Sequence, residues 1–308
     1  MSEVYDVLII GAGPAGLTAG IYLARSCLKI IILEKISPGG MALIIDNLEN
    51  YPGFPEGIAG YDLASKMEAQ ARKFGTNIIP EEVLNISGCG GDFSVKGSEK
   101  IYKARSVLVS TGSRYEKLRI PGEEELTGKG VSYCATCDGA FFRNRKVAVV
   151  GGGNSALQEA LYLSRIASEV FLIHRRDAYR GSKLLQKRIS ENTKIKPVLD
   201  SIVTEIRGKD TVESIVVKNV KTEKESKIGV EGVFVAVGQK PNTAFCKNLL
   251  KMDEKGHIIT AERSLQTSVE GVFVAGDCRV SDLRQVATAV GDGALVSESI
   301  DKYLQGKQ

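Results

Sequence analysis

Short, unbroken apolar runs recur along the chain, each ending at glycine or at a charged side chain. Val7-Leu8-Ile9-Ile10, Ile30-Ile31-Ile32-Leu33, Val147-Ala148-Val149-Val150 and Val233-Phe234-Val235-Ala236-Val237 are of this kind. Continuous rather than alternating apolar character is what a strand buried on both faces of a parallel sheet requires. The runs predict strands at Tyr5–Ile10 and Ile30–Leu33, with a helix through about Arg25 between them. The same order returns as a strand at Val147–Val150, a helix through about Ser164, and a strand at Val170–Ile173. A helix over 60–74 and strands at 77–80, 92–95 and 106–110 complete the first half. Residues 196–228 alternate as a β-meander with charged turns at 207–210 and 221–227. A last apolar run over 271–277 feeds a helix that begins near Arg284.

The pattern predicts an α/β fold with two Rossmann-like, three-layer ββα nucleotide-binding domains. The last run completes the first domain, so that residues 1–114 and 246–308 form one discontinuous domain and 115–245 are inserted into it. The turn-rich stretch around Pro121-Gly122-Glu123-Glu124-Glu125 reads as the way into the insertion, and hinges are expected near 113–117 and 244–247.

Both strand–turn–helix units carry glycine at the turn. In the first, Gly11-Ala12-Gly13-Pro14-Ala15-Gly16 precedes the helix, and Glu34 closes the second strand. Such glycines let backbone N–H groups approach a pyrophosphate at a helix N-terminus, and the acid receives ribose hydroxyls. Without the strand, helix and acid in place, the glycines would read merely as a loop. In the second unit, Gly151-Gly152-Gly153-Asn154-Ser155-Ala156 opens the helix, but the next strand ends in His174-Arg175-Arg176, with Arg180 close behind. Arginines there suit a 2′-phosphate where an acid suits a free hydroxyl. The competing reading is a solvated basic segment. The first domain is therefore expected to hold FAD and the second NADPH.

Composition narrows the field only a little. A chain of 308 residues is long enough for two cores. Its 41 basic and 37 acidic residues are too balanced to argue for nucleic acid, and no dense basic block or aromatic face supports one. No apolar run approaches the ~18 residues of a membrane span, and no secretory leader precedes the first strand, which makes the cytoplasm the expected compartment.

Cys134-Ala135-Thr136-Cys137-Asp138 is the stretch with chemistry of its own. Two cysteines two residues apart can close a disulfide or open to a dithiol, and Asp138 is placed to shuttle a proton; otherwise it is a turn former before Gly139. Zinc is the main rival, but it needs four ligands. Cys27, Cys89, Cys246 and Cys278 are scattered singles, and only two histidines exist, so no metal site is expected. Phe141-Phe142, beside Lys129 and Arg143, reads equally as a docking patch for a small acidic protein or as a buried strand entrance.

Taken in order, these motifs resemble the low-molecular-weight thioredoxin reductases of bacteria nearly end to end. The matching segments are Gly11–Gly16, Glu49-Asn50-Tyr51-Pro52-Gly53, Cys134–Gly139, Gly151–Ala156, His174-Arg175-Arg176, Ala275-Gly276-Asp277 and Arg284-Gln285-Val286-Ala287. The resemblance implies a homodimeric flavoprotein that uses NADPH to reduce the disulfide of thioredoxin. It implies flavin contacts at Gly11, Gly13, Pro14, Ala15, Gly16, Glu34, Lys35, Gly40, Met41, Asn50, Val83, Thr111, Gly112, Gly276, Asp277, Arg284, Gln285, Val286 and Ala287. It implies NADPH contacts at Gly151, Gly153, Asn154, Ser155, His174, Arg175, Arg176 and Arg180. Cys137 is implied as the sulfur that faces the flavin and Cys134 as the one that attacks the partner. Two stretches depart from the family pattern. Met41 and Leu43-Ile44-Ile45 stand where the family commonly has glutamine and a threonine-rich run, and Ser110-Thr111-Gly112-Ser113 replaces Ala-Thr-Gly-Ala. A flavin dithiol oxidase, a ferredoxin-fed reductase and a redox-sensing flavoprotein are the alternatives; the first two have less need of Arg175 and Arg176.

Overall fold

The computed structural model describes residues 3–45, 47–261 and 263–306. In chain order, β1 (Val4–Ile10), α1 (Pro14–Arg25), β2 (Ile30–Glu34), α2 (Gly60–Lys73), β3 (Asn77–Pro80), β4 (Val83–Cys89), β5 (Asp92–Gly97), β6 (Ile101–Val109) and β7 (Ser113–Tyr115) come first. Then follow β8 (Val131–Ser132), α3 (Ala135–Asp138), β9 (Lys146–Val150), α4 (Asn154–Leu163), β10 (Glu169–Ile173), α5 (Lys183–Ser190) and β11 (Ile195–Val198). The remainder is β12 (Ser201–Arg207), β13 (Ser214–Asn219), β14 (Glu225–Gly229), β15 (Gly232–Val235), β16 (Gln239–Pro241), β17 (Val272–Val274) and α6 (Val286–Gln305). The chain divides into two compact units, Met1–Arg114 with Lys240–Gln308, and Tyr115–Gln239. The second crossing thus lies at Gln239–Lys240 rather than at 245–246. The reason is local: Asn242 and the short helix after it are bonded into the first unit through Thr111, Gly112 and Thr243.

In the first unit, β1, β2 and β3 form a parallel sheet with β6, which β1 pairs along Lys103–Val109 and which also takes β17 along Val107–Val109. The N-terminal half of β6 turns to pair antiparallel with β5, and β5 with β4. One strand thus takes β5 along Ile101–Ala104 and β17 along Val107–Val109 within a single seven-stranded sheet, which is why β6 is longer than its apolar run suggested. Val7, Leu8, Ile9, Ile31, Ile32, Val107 and Leu108 are completely buried, as strands covered on both faces must be. Helices α1 and α6 approach closely: a Cβ on Gly293 would stand 2.4 Å from the carbonyl oxygen of Ala15.

The second unit repeats the plan. Its parallel sheet runs β11-β10-β9-β15-β8, and β12-β13-β14 form a separate antiparallel sheet. The expected meander over 196–228 is corrected at its start, because β11 belongs to the parallel sheet, where Val170 to Ile173 pair with Ile195 to Val198. Two elements carried no apolar signal. In β4 only Ile86 is buried, and in α5 only Ile189; α5 is instead started by the Ser182 side chain, which accepts from the Leu185 N–H.

Candidate functional site

Three groups of side chains gather at the ends of these sheets. The first surrounds the β1–α1 turn. Gly11 has φ +99°, and an added Cβ would lie 2.6 Å from the Ser110 carbonyl oxygen; on Gly16 it would lie 2.0 Å from that of Gly11. The loop is thus drawn tight against β6. Gly13, by contrast, caps α1 with nothing within 4 Å of where its Cβ would be, and Pro14 takes the first helical position. A helix N-terminus with open space above it is an anion site. Glu34 accepts the Ala12 N–H at 2.7 Å and the Ile36 N–H at 3.0 Å, so the acid also braces the loop.

The remaining sequence-derived flavin residues mostly converge here. The Gly39 N–H donates to the Ala12 carbonyl, and a Cβ on Gly40 (φ +56°) would stand 3.3 Å from Gly13 Cα, which brings Met41 alongside. The side chain of Ile44, in the expected apolar run, lies outside the described ones. Lys35 is exposed and pairs with Glu82 at 2.7 Å, next to Val83 at the start of β4. Asn50 donates to Gln285 at 3.0 Å across 235 residues of sequence. Gln285 caps α6 reciprocally with Thr288, placing Val286 and Ala287 in its first turn. Thr111 and Asn242 bond each other's backbone, and Gly112 has φ +62°. The Gly276 N–H donates to Asp292, whose carboxylate is held by a bidentate Arg279 at 2.6 and 2.7 Å. Asp292 and Arg279 were not anticipated, since nothing in their local sequence announces the pair.

Two groups in this cluster are poorly satisfied by protein. Burial pushes the Asp277 carboxyl up to about 6 against the pull of Arg284, and the Arg284 Nε is buried with no hydrogen-bond partner. Buried polar atoms in that condition fit a polar ligand. The donor set and the open helix terminus suit a dinucleotide such as FAD.

The second group surrounds the β9–α4 turn. On Gly151 (φ +156°) a Cβ would lie 2.4 Å from the Ala236 carbonyl oxygen, and on Gly152 it would strike the His174 ring at 2.3 Å. Gly153, capping α4, again faces open space. Asn154 accepts from the Ser182 N–H, the Arg180 N–H donates to Gly152, and Ser155 is exposed. His174 is buried, its Nε2 without a partner. Burial first, then Arg180, Arg175 and Arg176, lower its pKa, so the imidazole is neutral under a cluster of three guanidinium groups. All three arginines are exposed beside the open glycine, a cationic donor set of the kind that phosphate binds.

The third group is the CxxC. Cys134 and Cys137 are closed as a disulfide, with Cα atoms 5.3 Å apart. Cys134 caps the four-residue α3, and its carbonyl oxygen receives the N–H groups of Cys137 and Asp138. Ser132 ties the site together: its hydroxyl donates to Asp138 Oδ2 at 2.6 Å and accepts the Cys134 N–H at 3.1 Å. Ser132 was missed because its role depends on the chain doubling back at α3. The four other cysteines are free, and burial pushes Cys246 up to about 12 and Cys278 up to about 11, leaving them inert as nucleophiles. Among the described residues no cluster of three or more His, Cys, Asp or Glu could hold a metal ion, and no helix is long and apolar enough to cross a membrane. The phenylalanine pair separates: Phe142 is buried edge-on against Phe234 at 5.3 Å, whereas Phe141 is exposed.

Comparison with known proteins agrees with this geometry. The family described as pyridine nucleotide-disulphide oxidoreductase matches residues 5–293. The thioredoxin reductase of Rickettsia felis is 44% identical over 99% of both chains, and that of Bacillus subtilis 42% identical over 100% of this chain and 98% of its own. Among solved structures, thioredoxin reductase from Streptococcus pyogenes is 44% identical with a TM-score of 0.94, covering 99% of this chain and 100% of its own. Lactococcus lactis thioredoxin reductase in the FR conformation is 42% identical with a TM-score of 0.67, covering 98% and 99%. Two glycine loops and a closed CxxC, carried on the folds of both units, therefore place this chain in the pyridine nucleotide-disulphide oxidoreductase family.

Proposed function

We propose that this chain is an NADPH-dependent, FAD-containing thioredoxin-disulfide reductase. The observation that carries the reading is the closed Cys134–Cys137 disulfide in the same unit as the arginine-flanked glycine loop. Bound FAD would supply the two-electron junction between a nicotinamide hydride and that disulfide. The Gly11–Gly16 loop and Glu34 would hold it, with Gly40, Met41, Asn50, Thr111, Gly112, Asp277 and the α6 N-terminus around it. Lys35 and Val83 would bound it at the sheet edge. Gly151, Gly153, Asn154 and Ser155 would receive the NADPH pyrophosphate, and Arg175, Arg176 and Arg180 its 2′-phosphate, above the neutral His174.

Once the pair is a dithiol, Cys134 attacks the partner's disulfide as the thiolate and forms a mixed disulfide; the displaced partner sulfur takes up a proton. Cys137 then attacks Cys134, restoring the internal disulfide and releasing the partner's second sulfur. Two electrons and two protons have then moved to the partner. Asp138, aimed by Ser132, holds the proton that each sulfur needs on becoming a thiol. Exposed Phe141 gives the partner an apolar contact. Because dithiol and nicotinamide belong to one unit and both must reach the flavin, the two units adopt different orientations during turnover. The reading extends to a homodimer acting in the cytoplasm.

The test is anaerobic NADPH consumption by the FAD-loaded protein, with and without oxidised thioredoxin of the same organism. Rapid consumption that requires thioredoxin is expected, with Cys134→Ser abolishing it. Ser132→Ala should lower kcat about tenfold, less than the ~10²–10⁴-fold of losing a general acid–base group outright because Asp138 itself remains, and leave KM for thioredoxin unchanged. Flavin that NADPH cannot bleach would refute the arginine argument and return the oxidase and ferredoxin-fed readings.

A further inference from the structure

Two hydroxyl groups flank the redox pair, and they have different partners. Ser132 donates its hydrogen most closely to Asp138 Oδ2, at 2.6 Å, while its oxygen accepts the Cys134 N–H. Thr136 stands inside the CxxC, and its Oγ1 lies 3.4 Å from Cys134 Sγ. A sulfur closed in a disulfide carries no hydrogen, so the hydroxyl is the donor in this contact and the sulfur the acceptor. The backbone N–H groups of Cys137 and Asp138 are bonded to the Cys134 carbonyl oxygen and not to its sulfur. Thr136 is exposed and Cys134 half-buried, which puts the contact on the accessible side of the pair.

The contact gains weight when the disulfide opens. Two electrons and one proton turn the disulfide into a thiol and a thiolate. A hydroxyl that donates weakly to a neutral sulfur makes a charge-assisted bond to a thiolate, and so favours the charged form. The same bond makes that thiolate a poorer nucleophile, with a Brønsted slope of ~0.4–0.5 in disulfide exchange. Where most of the sulfur is protonated, the gain in thiolate outweighs the loss of reactivity. Where all of it is ionised, only the loss remains.

We propose that Thr136 is a catalytic residue whose hydroxyl donates to Cys134 Sγ and selects that sulfur to remain the thiolate of the reduced pair. As Cys134 attacks, its bond to one partner sulfur forms and the partner's S–S bond breaks. The charge passes to the displaced sulfur, which takes up a proton. The Thr136 hydroxyl is then left beside a neutral sulfur, as in the closed disulfide. This inference deepens the proposed function and rests on its assignment of Cys134 as the attacking sulfur. The titratable groups on the surrounding elements are Cys137 and Asp138 of α3, Tyr133 next to β8, Arg143 after the Gly139–Phe142 turn, and Glu159 and Tyr162 of α4. Tyr133 donates to Glu123 at 3.0 Å, and the guanidinium of Arg165 lies over the Tyr162 ring. All of them are the same in every variant of residue 136, so a comparison among those variants reads the hydroxyl.

The experiment uses the full chain carrying Cys137→Ala, in which the internal disulfide cannot reform, with excess 2-hydroxyethyl disulfide between about pH 5 and 10. The mixed disulfide formed at Cys134, with release of one 2-mercaptoethanol, is followed by mass. Threonine at position 136 is compared with Thr136→Val, which keeps the branched shape without the hydroxyl, and with Thr136→Ser, which keeps the hydroxyl. In Thr136→Val the midpoint of the pH–rate curve should move up by about one pH unit, the low end for a hydrogen bond to a charged group, as suits an exposed site. The reaction should then be about threefold slower at acid pH and about threefold faster on the alkaline plateau, so that the curves cross. Thr136→Ser should follow threonine. A valine curve that superimposes on that of threonine, or stays on one side of it at every pH, overturns the proposal, and so does a serine curve that follows valine. Should the valine variant not fold, Thr136→Ala takes its place under the same criteria. The assay contains neither nicotinamide nucleotide nor thioredoxin. Crossing curves, with a parent chain that ignores thioredoxin, would keep this inference and remove the proposed function; thioredoxin reduction with superimposable curves would do the reverse. A Cys134 that attacks no disulfide at any pH would sink both.

Discussion

The two glycine loops share one backbone device and differ in what stands at the end of the next strand. Each has a first glycine at positive φ pressed against a neighbouring strand and a glycine two residues on, Gly13 or Gly153, left open at a helix cap. In the first unit, Glu34 reaches back and bonds the loop itself through Ala12. In the second, the equivalent place is taken by the buried His174 under Gly152, and the charges stand outside as three exposed arginines. The first loop is thus braced by an anion that also accepts hydroxyls. The second is braced by packing, which leaves its cations free for an anionic ligand. Duplicate architecture does not dictate duplicate ligands; the sign of charge at one strand end separates them.

The largest expected effect comes from mistaking one glycine for another. Gly16→Ala puts a methyl onto the Gly11 carbonyl and should destabilise the first unit by about 3 kcal/mol, seen in a melting curve. Gly13→Ala meets no protein atom, so the FAD-free protein should melt as before while FAD retention falls; an unchanged flavin content would break the assignment. Next is the double change Arg175→Ala and Arg176→Ala. The loss of two charge-assisted bonds should raise KM for NADPH about 100-fold and leave KM for NADH alone. An equal rise for both nucleotides would mean that the arginines serve the fold. Glu34→Gln keeps an acceptor for Ala12 but loses the charge, and should speed FAD dissociation about tenfold in a flavin-release assay.

The smallest effect separates the braces by pH. His174 has a folded-state pKa below its unfolded value of 6.5, so it contributes stability that is present above pH 6.5 and lost as pH falls toward the lowered folded value. His174→Gln should flatten that part of the stability–pH curve by a few degrees of Tm at most. A variant curve parallel to the wild type would show that the imidazole is not the group responsible.

What could be read in advance was whatever neighbours in sequence announce. Gly11–Gly16 with Glu34, Gly151–Ala156 with Arg175 and Arg176, and Cys134 with Cys137 are all local patterns, and the buried strands declare themselves by apolar runs. Contacts made by packing were not legible. Asn50 meets Gln285 only because the α6 N-terminus is carried back to the first unit, and Arg279 meets Asp292 for the same reason. Among the elements that were missed, β4 and α5 each bury a single side chain, too little to leave a periodicity.

The placement of β17 and α6 has a consequence for synthesis. Strand β17 pairs with the C-terminal half of β6, and α6 packs along α1, yet both are made after the whole of Tyr115–Gln239. While the ribosome is translating the insertion, the first unit waits with one edge of β6 and one face of α1 uncovered. The second unit is complete as soon as Gln239 clears the exit tunnel. The nascent protein therefore finishes its inner half first, and the half that begins the chain is the last to close.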